Sequence, residues 1–219
     1  MHSAGITRPA CSILDMPVEE WENVIKVNLT GAFFLAKACI PPMLEAGQGA
    51  MVFFSSRAAK TGFAALGSNG AKTKAHYCAS KAGVISLVKS LAMELAPYGI
   101  RVNGVAPGPV QGTMIPKESW PVIAEKVPLN RLGTPEEMAE GAWFLCSPQA
   151  AFITGHILDI NGGTLMHSKT DSGPLPLPPN SRHSACTQKE RSLRHSILGP
   201  LFPYADPYTP FFARKINRE

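Results

Sequence analysis

Tyr77 and Lys81, in the stretch Tyr77-Cys78-Ala79-Ser80-Lys81, stand four residues apart, which on a helix places both side chains on one face. An ammonium held beside a phenol stabilises the phenolate and draws the tyrosine down from its usual pKa of about 10, which suits a general acid/base. Taken alone the pair is common, and its bland reading is a solvated lysine beside a half-buried tyrosine. Three further features keep it company. Asn28, in Val27-Asn28-Leu29-Thr30-Gly31, sits inside an otherwise apolar helix face, where a polar side chain needs a structural or chemical reason. Ser55-Ser56 and Pro107-Gly108-Pro109-Val110 each follow a strand-forming run. Each feature has its own bland reading: a kinked helix, a strand-end turn, a Pro-Gly turn. In an open α/β sheet, however, the ligand crevice lies beyond the carboxyl ends of the strands, so both loops converge on one place.

The elements that must position these residues alternate. Pro17, Glu19 and Glu20 open a helix, with the acids at the positive end of its dipole, and Val18, Trp21, Ile25, Leu29, Ala32 and Ala36 give it an apolar face as far as about Gly47. Met51 to Phe54 reads as a buried parallel strand ending at Ser55-Ser56. A second long helix covers about Ala75 to Ala96 and stops at Pro97 and Gly99. Ile100 to Val105 is the next strand. Thr134-Pro135-Glu136-Glu137 predicts a capping box that opens a helix running through Cys146, and His156 to Ile160 is the last strand before Gly162-Gly163. The pattern predicts an α/β fold, a parallel sheet covered on both faces and built from right-handed crossovers. Only three strands are visible, where a doubly wound sheet has five or more.

Composition sets the frame. The 219 residues with 45% apolar content fit one globular domain with a sizeable core. No uninterrupted apolar run approaches the roughly 20 residues that span a bilayer, and Met1 to Gly5 does not begin a signal peptide, so the expectation is a soluble cytoplasmic protein without a membrane partner. Cys11, Cys39, Cys78, Cys146 and Cys186 are odd in number and show neither disulfide nor metal-ligand spacing, and His2, His76 and His156 read as surface or locally hydrogen-bonded residues, so no metal is expected. The net charge of +5 is uneven: residues 1–166 hold 13 Lys and Arg against 12 Asp and Glu, and residues 167–219 hold 8 against 4. That placement argues against a nucleic-acid partner. Residues 167–219, with eight prolines between Pro174 and Pro210 and no periodicity, read as a disordered tail after a domain at 1–166. Pro176 to Pro179 has PxxP spacing, so a polyproline ligand stands beside a plain linker or out-of-frame translation as readings of the tail.

As an ordered set, the motifs resemble the short-chain dehydrogenase/reductase family, over about residues 2–166. Ala4-Gly5 resembles the end of its Asn-Asn-Ala-Gly turn, Asn28 its helix asparagine, Ser56 its serine and Tyr77 with Lys81 its Tyr-x-x-x-Lys pair. Pro107-Gly108 and Val110 resemble its nicotinamide-side loop, and Asp159-Ile160-Asn161-Gly162-Gly163 its closing Asp-x-Asn-Gly-Gly. The resemblance implies a Rossmann-type doubly wound sheet and an NAD(P)-dependent oxidoreductase acting on a ketone or secondary alcohol, with 3-oxoacyl reduction the nearest neighbour. It implies that Ser56 holds the carbonyl oxygen, Tyr77 exchanges the proton, Lys81 lowers the tyrosine pKa and holds the ribose, and Asn28 anchors a water joining Lys81 to solvent. Ala4, Gly5, Asn28, Tyr77, Lys81, Pro107, Gly108, Val110 and Thr113 would meet NAD or NADP. The family also implies a dimer through helices at 17–46 and 75–96.

Three departures accompany it. The Gly-rich turn Thr-Gly-x-x-x-Gly-x-Gly and the strands around it do not occur here, which predicts an incomplete, N-terminally truncated sheet with an exposed edge, and leaves the choice between NAD and NADP unreadable. The interval from Ser56 to Tyr77 is long, with a polar surface loop expected at residues 67–74. Gly112 stands where the family's loop threonine falls and Thr113 one position later. Met114 to Val127 is the expected substrate cover. Beside the active oxidoreductase stand two alternatives: an inactive remnant that only dimerises or misfolds, and an interaction module carried by the tail.

Overall fold

Short apolar runs that end at Ser or Pro-Gly turns become three parallel strands, and the longer periodic stretches become the helices that cover them. The computed structural model describes residues 1–63 and 72–166; the expectations for the tail at 167–219 and for the loop at 67–71 lie outside them. Strand β1 (Gly49–Phe54) pairs with β2 (Ile100–Pro107), and β2 with β3 (Ile157–Ile160), in the order β1-β2-β3. The register runs from Gly49 opposite Ile100 to Phe54 opposite Val105, and from Gly104 opposite Ile157 to Pro107 opposite Ile160. The chain joins this sheet already at residue 2. The His2 amide donates to the Val52 carbonyl at 2.8 Å and the Phe54 amide to the His2 carbonyl at 3.0 Å. That isolated bridge satisfies backbone groups on the outer edge of β1, and the sheet of the described residues has the three strands expected.

Side chains alternate across the sheet with a period of two, so neighbouring residues feed opposite layers. Met51, Phe53 and Val102 join Ala32, Ala36, Val84 and Val88 in one core cluster. Val52 and Val105 join Ala142 and Leu145 in another. The first layer is α2 (Gly31–Ala46) and α4 (Ala75–Leu95); the second is α6 (Pro135–Cys146). The expected capping box is present: the Glu137 amide donates to Thr134 Oγ1 at 3.3 Å and the Thr134 amide to Glu137 Oε2 at 2.8 Å. At the far end of α6, the Arg101 guanidinium donates to the carbonyls of Leu145, Cys146 and Ser147 and of Ile153, which joins β2 to the helix's orphan carbonyls.

Helix α1 (Val18–Ile25), a π turn at Lys26–Thr30 and α2 form one unbroken stretch. Its buried stripe is Val24, Asn28, Ala32 and Ala36. The expected apolar face is therefore rotated: Val18 is 70% exposed and Trp21 37%. A search for apolar periodicity passes over the polar residue that sits in the middle of the true stripe. The stretch also corrects the expectation about membrane-length segments. At 29 residues, with a mean hydropathy of 1.4 over its best window, it is long and apolar enough to cross a bilayer by length and composition. Its buried side is packed within this fold. A short α3 (Ala58–Thr61) follows β1, and α5 (Trp120–Ala124) lies between β2 and α6.

Candidate active site

Three elements bring the chemistry-bearing residues together at the carboxyl end of the sheet. Ser55 and Ser56 follow β1, Pro107 ends β2, and α4 carries Tyr77 and Lys81 across them. The two serines divide their work. Ser55 is buried and its Oγ donates to the Lys81 carbonyl at 2.8 Å, fixing the loop to the helix. Ser56 Oγ accepts from the Ala58 amide at 3.1 Å and bonds with the Tyr77 hydroxyl. The choice of Ser56 over Ser55 fits that geometry, since only Ser56 of the two meets the phenol.

Lys81 is 4% exposed, and its Nζ donates to the Phe54 carbonyl at 2.8 Å. Burial holds its pKa down at about 8. Tyr77 moves the other way: burial pushes its phenol above 10.0, and the Ser56 bond pulls back only in part. The expectation that Lys81 lowers the tyrosine pKa is corrected here. The ammonium is spent on a backbone carbonyl, and desolvation of the phenolate dominates. His2, next to Lys81 electrostatically, is depressed by burial and then by the Lys81 charge.

Asn28 is completely buried, at the π turn, and does not line the cavity. Its Oδ1 accepts from the Ile6 amide at 2.7 Å, while Nδ2 donates to the Ile6 carbonyl at 2.9 Å and to Ser80 Oγ at 3.0 Å. Ser80 Oγ donates in turn to the Tyr77 carbonyl at 2.8 Å. The implied contact of Asn28 with cofactor gives way to a tie: the amide locks the segment after Gly5 to the helix that bears Tyr77 and Lys81. A helix turn one residue too wide is a common device at functional sites, and here it lies at Asn28. His76 is another correction, being fully buried with neither ring nitrogen hydrogen-bonded, rather than a surface or locally bonded residue.

Ser56, Tyr77 and Lys81 line a cavity of about 1280 Å³. Gly5, Pro107, Gly108 and Val110 line it as well. Two glycines matter for space. A Cβ on Gly5 would lie 3.1 Å from Lys81 Nζ, and one on Gly108 would lie 2.7 Å from the Cα of Asn161, so the loop after β2 presses against the turn after β3. Asn161, from the closing Asp-x-Asn-Gly-Gly, organises that turn by accepting from the Gly163 amide at 2.9 Å. Ala4 and Thr113 are both exposed and lie outside the described cavity lining. The expected substrate cover does reach the cavity, through Met114, Ile115, Ile123 and Val127.

A family model described as Enoyl-(Acyl carrier protein) reductase matches residues 1–165. The chain belongs to the short-chain dehydrogenase/reductase family. Among its relatives, an uncharacterized short-chain type dehydrogenase/reductase of Sinorhizobium fredii is 37% identical over 171 residues, covering 76% of this chain and 65% of the relative. The 3-oxoacyl-(acyl-carrier-protein) reductase FabG of Vibrio cholerae is 39% identical over 169 residues, covering 76% of this chain and 66% of the relative. A crystal structure titled 3-oxoacyl-(acyl-carrier protein) reductase from Brucella melitensis superimposes with a TM-score of 0.67 at 37% identity, covering 75% of this chain and 61% of that one. A second, from the same organism and titled with bound NAD, gives 0.65 at 37% identity, and ElxO, titled with NADP bound, gives 0.67 at 31%. The chain thus spans somewhat less than two thirds of the length of these short-chain dehydrogenase/reductases. The match confirms the Rossmann-type α/β fold expected from the motifs.

Sequence reasoning passed over several of the family member's cavity residues. Arg57 and Lys74 line it beside Ser56 and Tyr77, and Phe63 lies under Lys74. Arg57 carried a signal, standing directly after the serine pair. Lys74 belonged to the stretch expected to be a surface loop, yet it is the N-cap residue of α4, and Thr73 before it pairs with Cys11 through two backbone bonds of 3.0 and 2.9 Å.

Proposed function

We propose that the chain is an NAD- or NADP-dependent oxidoreductase that moves a hydride between the nicotinamide and a ketone or secondary alcohol, with Tyr77 as general acid/base. The observation that carries this reading is the convergence of Ser56, Tyr77 and Lys81 on one cavity wall with Gly5 and the Pro107-Gly108 loop. These residues fit the nicotinamide end of such a cofactor: Gly5 leaves the approach to Lys81 Nζ open where a Cβ would stand 3.1 Å away. Lys81, Pro107, Gly108 and Val110 would hold the nicotinamide and its ribose. When bound, that group gives or takes the hydride. The chain's own residues position an oxygen and move a proton. Ser56 Oγ, already accepting from the Ala58 amide, keeps its own hydrogen for an oxygen in the cavity. Tyr77, kept neutral by burial, gives its proton to the carbonyl oxygen during reduction. Ile115 and Ile123 keep water from the reacting carbon. A small carbonyl or alcohol is the substrate on this reading.

A second reading has its own support. The Lys81 ammonium is engaged by Phe54 rather than by the phenol, and the Tyr77 pKa is raised. These favour a catalytically idle relative that pairs with copies of itself through the helices at 17–46 and 75–96. Exposed Phe33, Phe34, Leu35 and Met93 on those helices support pairing under either reading. Free Cys11, Cys39, Cys78 and Cys146 accord with a cytoplasmic setting. Titration of the 219-residue chain with NADH and NADPH, followed by nicotinamide fluorescence and melting temperature, separates the two. Saturable binding with a raised melting temperature supports the oxidoreductase; no binding of either favours the idle relative.

A further inference from the structure

We propose that the carbonyl substrate itself carries a carboxylate, held by Lys74 and Arg57. The inference rests on the oxidoreductase reading and names its substrate class. Among the described residues, the charged ones lining the cavity are Arg57, Lys74, Lys81 and Lys126, all cations, and no Asp or Glu lines it. Residues 64–71, which join Phe63 to Lys72, contain no acid either. Among the described residues, neither Lys74 nor Arg57 forms an ion pair, whereas Lys60 is paired with Asp159 and Arg131 with Glu137.

Placement along α4 separates the two lysines by task. Lys74 precedes Tyr77 by three residues and Lys81 follows it by four, so the phenol stands between two ammoniums, each about one helical turn of ~5 Å away along the axis. Lys81 faces the Gly5 side, with Nζ on the Phe54 carbonyl. Lys74 has its Nζ 5.3 Å from the centroid of the Phe63 ring. Arg57, directly after Ser56, lines the same cavity as Lys74. A ring beneath an ammonium accounts for Lys74 alone as packing. It does not account for a second cation, Arg57, in the same cavity lining, where the described residues include no acid.

A partly buried ammonium is penalised by lost hydration, and burial does depress Lys74. An anion brought in with the substrate offsets that penalty through charge-assisted hydrogen bonds. With its carbonyl at Ser56 and Tyr77, the carboxylate falls about one helical turn away, within a few bonds of the reacting carbon. Such a span suits a short oxo acid. A phosphate at the far end of a carrier arm lies beyond it. The hydrocarbon between the two groups meets Met114 and Ile115.

The test is binding, read by ligand-observed nuclear magnetic resonance on the full chain, of 4-oxopentanoate and 5-oxohexanoate against their methyl esters. The free acids should bind at least about tenfold more tightly, and the preference should shrink with salt. It should fall about tenfold in Lys74→Gln and several-fold in Arg57→Gln, and persist in Lys89→Gln, which removes an exposed cation from the middle of α4. The arginine variant serves if the lysine variant fails to fold. NADH and NADPH titrated into the same samples report on the oxidoreductase reading separately. Acids and esters binding alike, binding of neither, or a preference unchanged in both cavity variants overturns the proposal, whatever NADH and NADPH do. A preference that depends on Lys74 without binding of NADH or NADPH sustains the anion site and removes the hydride-transfer reading.

Discussion

Replacing Lys81 by methionine keeps the aliphatic stem in place and removes a buried ammonium. In the folded chain that ammonium is disfavoured, its pKa falling from 10.5 to about 8 through burial. At about 1.4 kcal/mol per pK unit the drop corresponds to a penalty of about 3 kcal/mol at neutral pH. The sign follows from proton counting. Between about pH 8 and 10.5 the unfolded chain holds a proton on Lys81 that the folded chain does not, so stability rises with pH across that window, and below about 8 the penalty is present in full. Methionine also forfeits the bond to the Phe54 carbonyl, which takes back about 1–2 kcal/mol. The net expectation at pH 7 is a gain of about 1–2 kcal/mol, or a melting temperature higher by roughly 2–8 °C. The assay is thermal unfolding by circular dichroism at pH 7 and again near pH 10. At the higher pH the advantage should vanish or reverse, because the wild-type lysine is then neutral when folded. A variant less stable than wild type at pH 7, by an amount that does not change with pH, refutes the reasoning. Success would mark Lys81 as a group held against stability for the sake of the site.

Other expectations follow from particular contacts. Asn28→Ala strips partners from the Ile6 amide and carbonyl and from Ser80, and should lower stability by about 2–4 kcal/mol in urea denaturation. Arg101→Met leaves the α6 carbonyls and Ile153 without their donor, and should cost about 2–4 kcal/mol by the same measurement. The Arg131 bond and the Thr134 amide hold Glu137 down at about 2 against an ordinary 4.5. Its contribution is present above pH 4.5 and fades as pH falls through 2, and melting curves of Glu137→Gln over that range should be flatter than those of the wild type.

What was legible in the sequence was local or topological. The capping box at Thr134 and Glu137 needs only residues three apart, helix spacing put Tyr77 and Lys81 on one face, and the strand-end rule brought the Ser55-Ser56 and Pro107-Gly108 loops to one place before any coordinates. Where three-dimensional competition decides, the reading failed. Asn28 sits on the buried stripe because Ile6 and Ser80 satisfy its amide, and neither partner can be read from a helix pattern. Lys81 donates to Phe54, 27 residues away, rather than to the tyrosine on its own face. Thr113 follows a loop whose path no spacing fixes, and Lys74 was placed with a solvent loop because polar stretches resemble one another whether they edge a cavity or face water. Arg101 lies inside a strand pattern, with nothing in the sequence to show that it serves the end of a helix more than forty residues on.

The central claim is that Ser56 and Tyr77 activate a carbonyl toward hydride from a nicotinamide. Its most direct test supplies the full chain with NADH or NADPH deuterated at the transferring carbon, together with a panel of oxo acids and neutral ketones, and follows the label by mass spectrometry. The account predicts deuterium on the carbinol carbon of at least one product, lost at least about a hundredfold in Tyr77→Phe. Absence of label at saturating cofactor, or transfer equally fast in Tyr77→Phe, would contradict it.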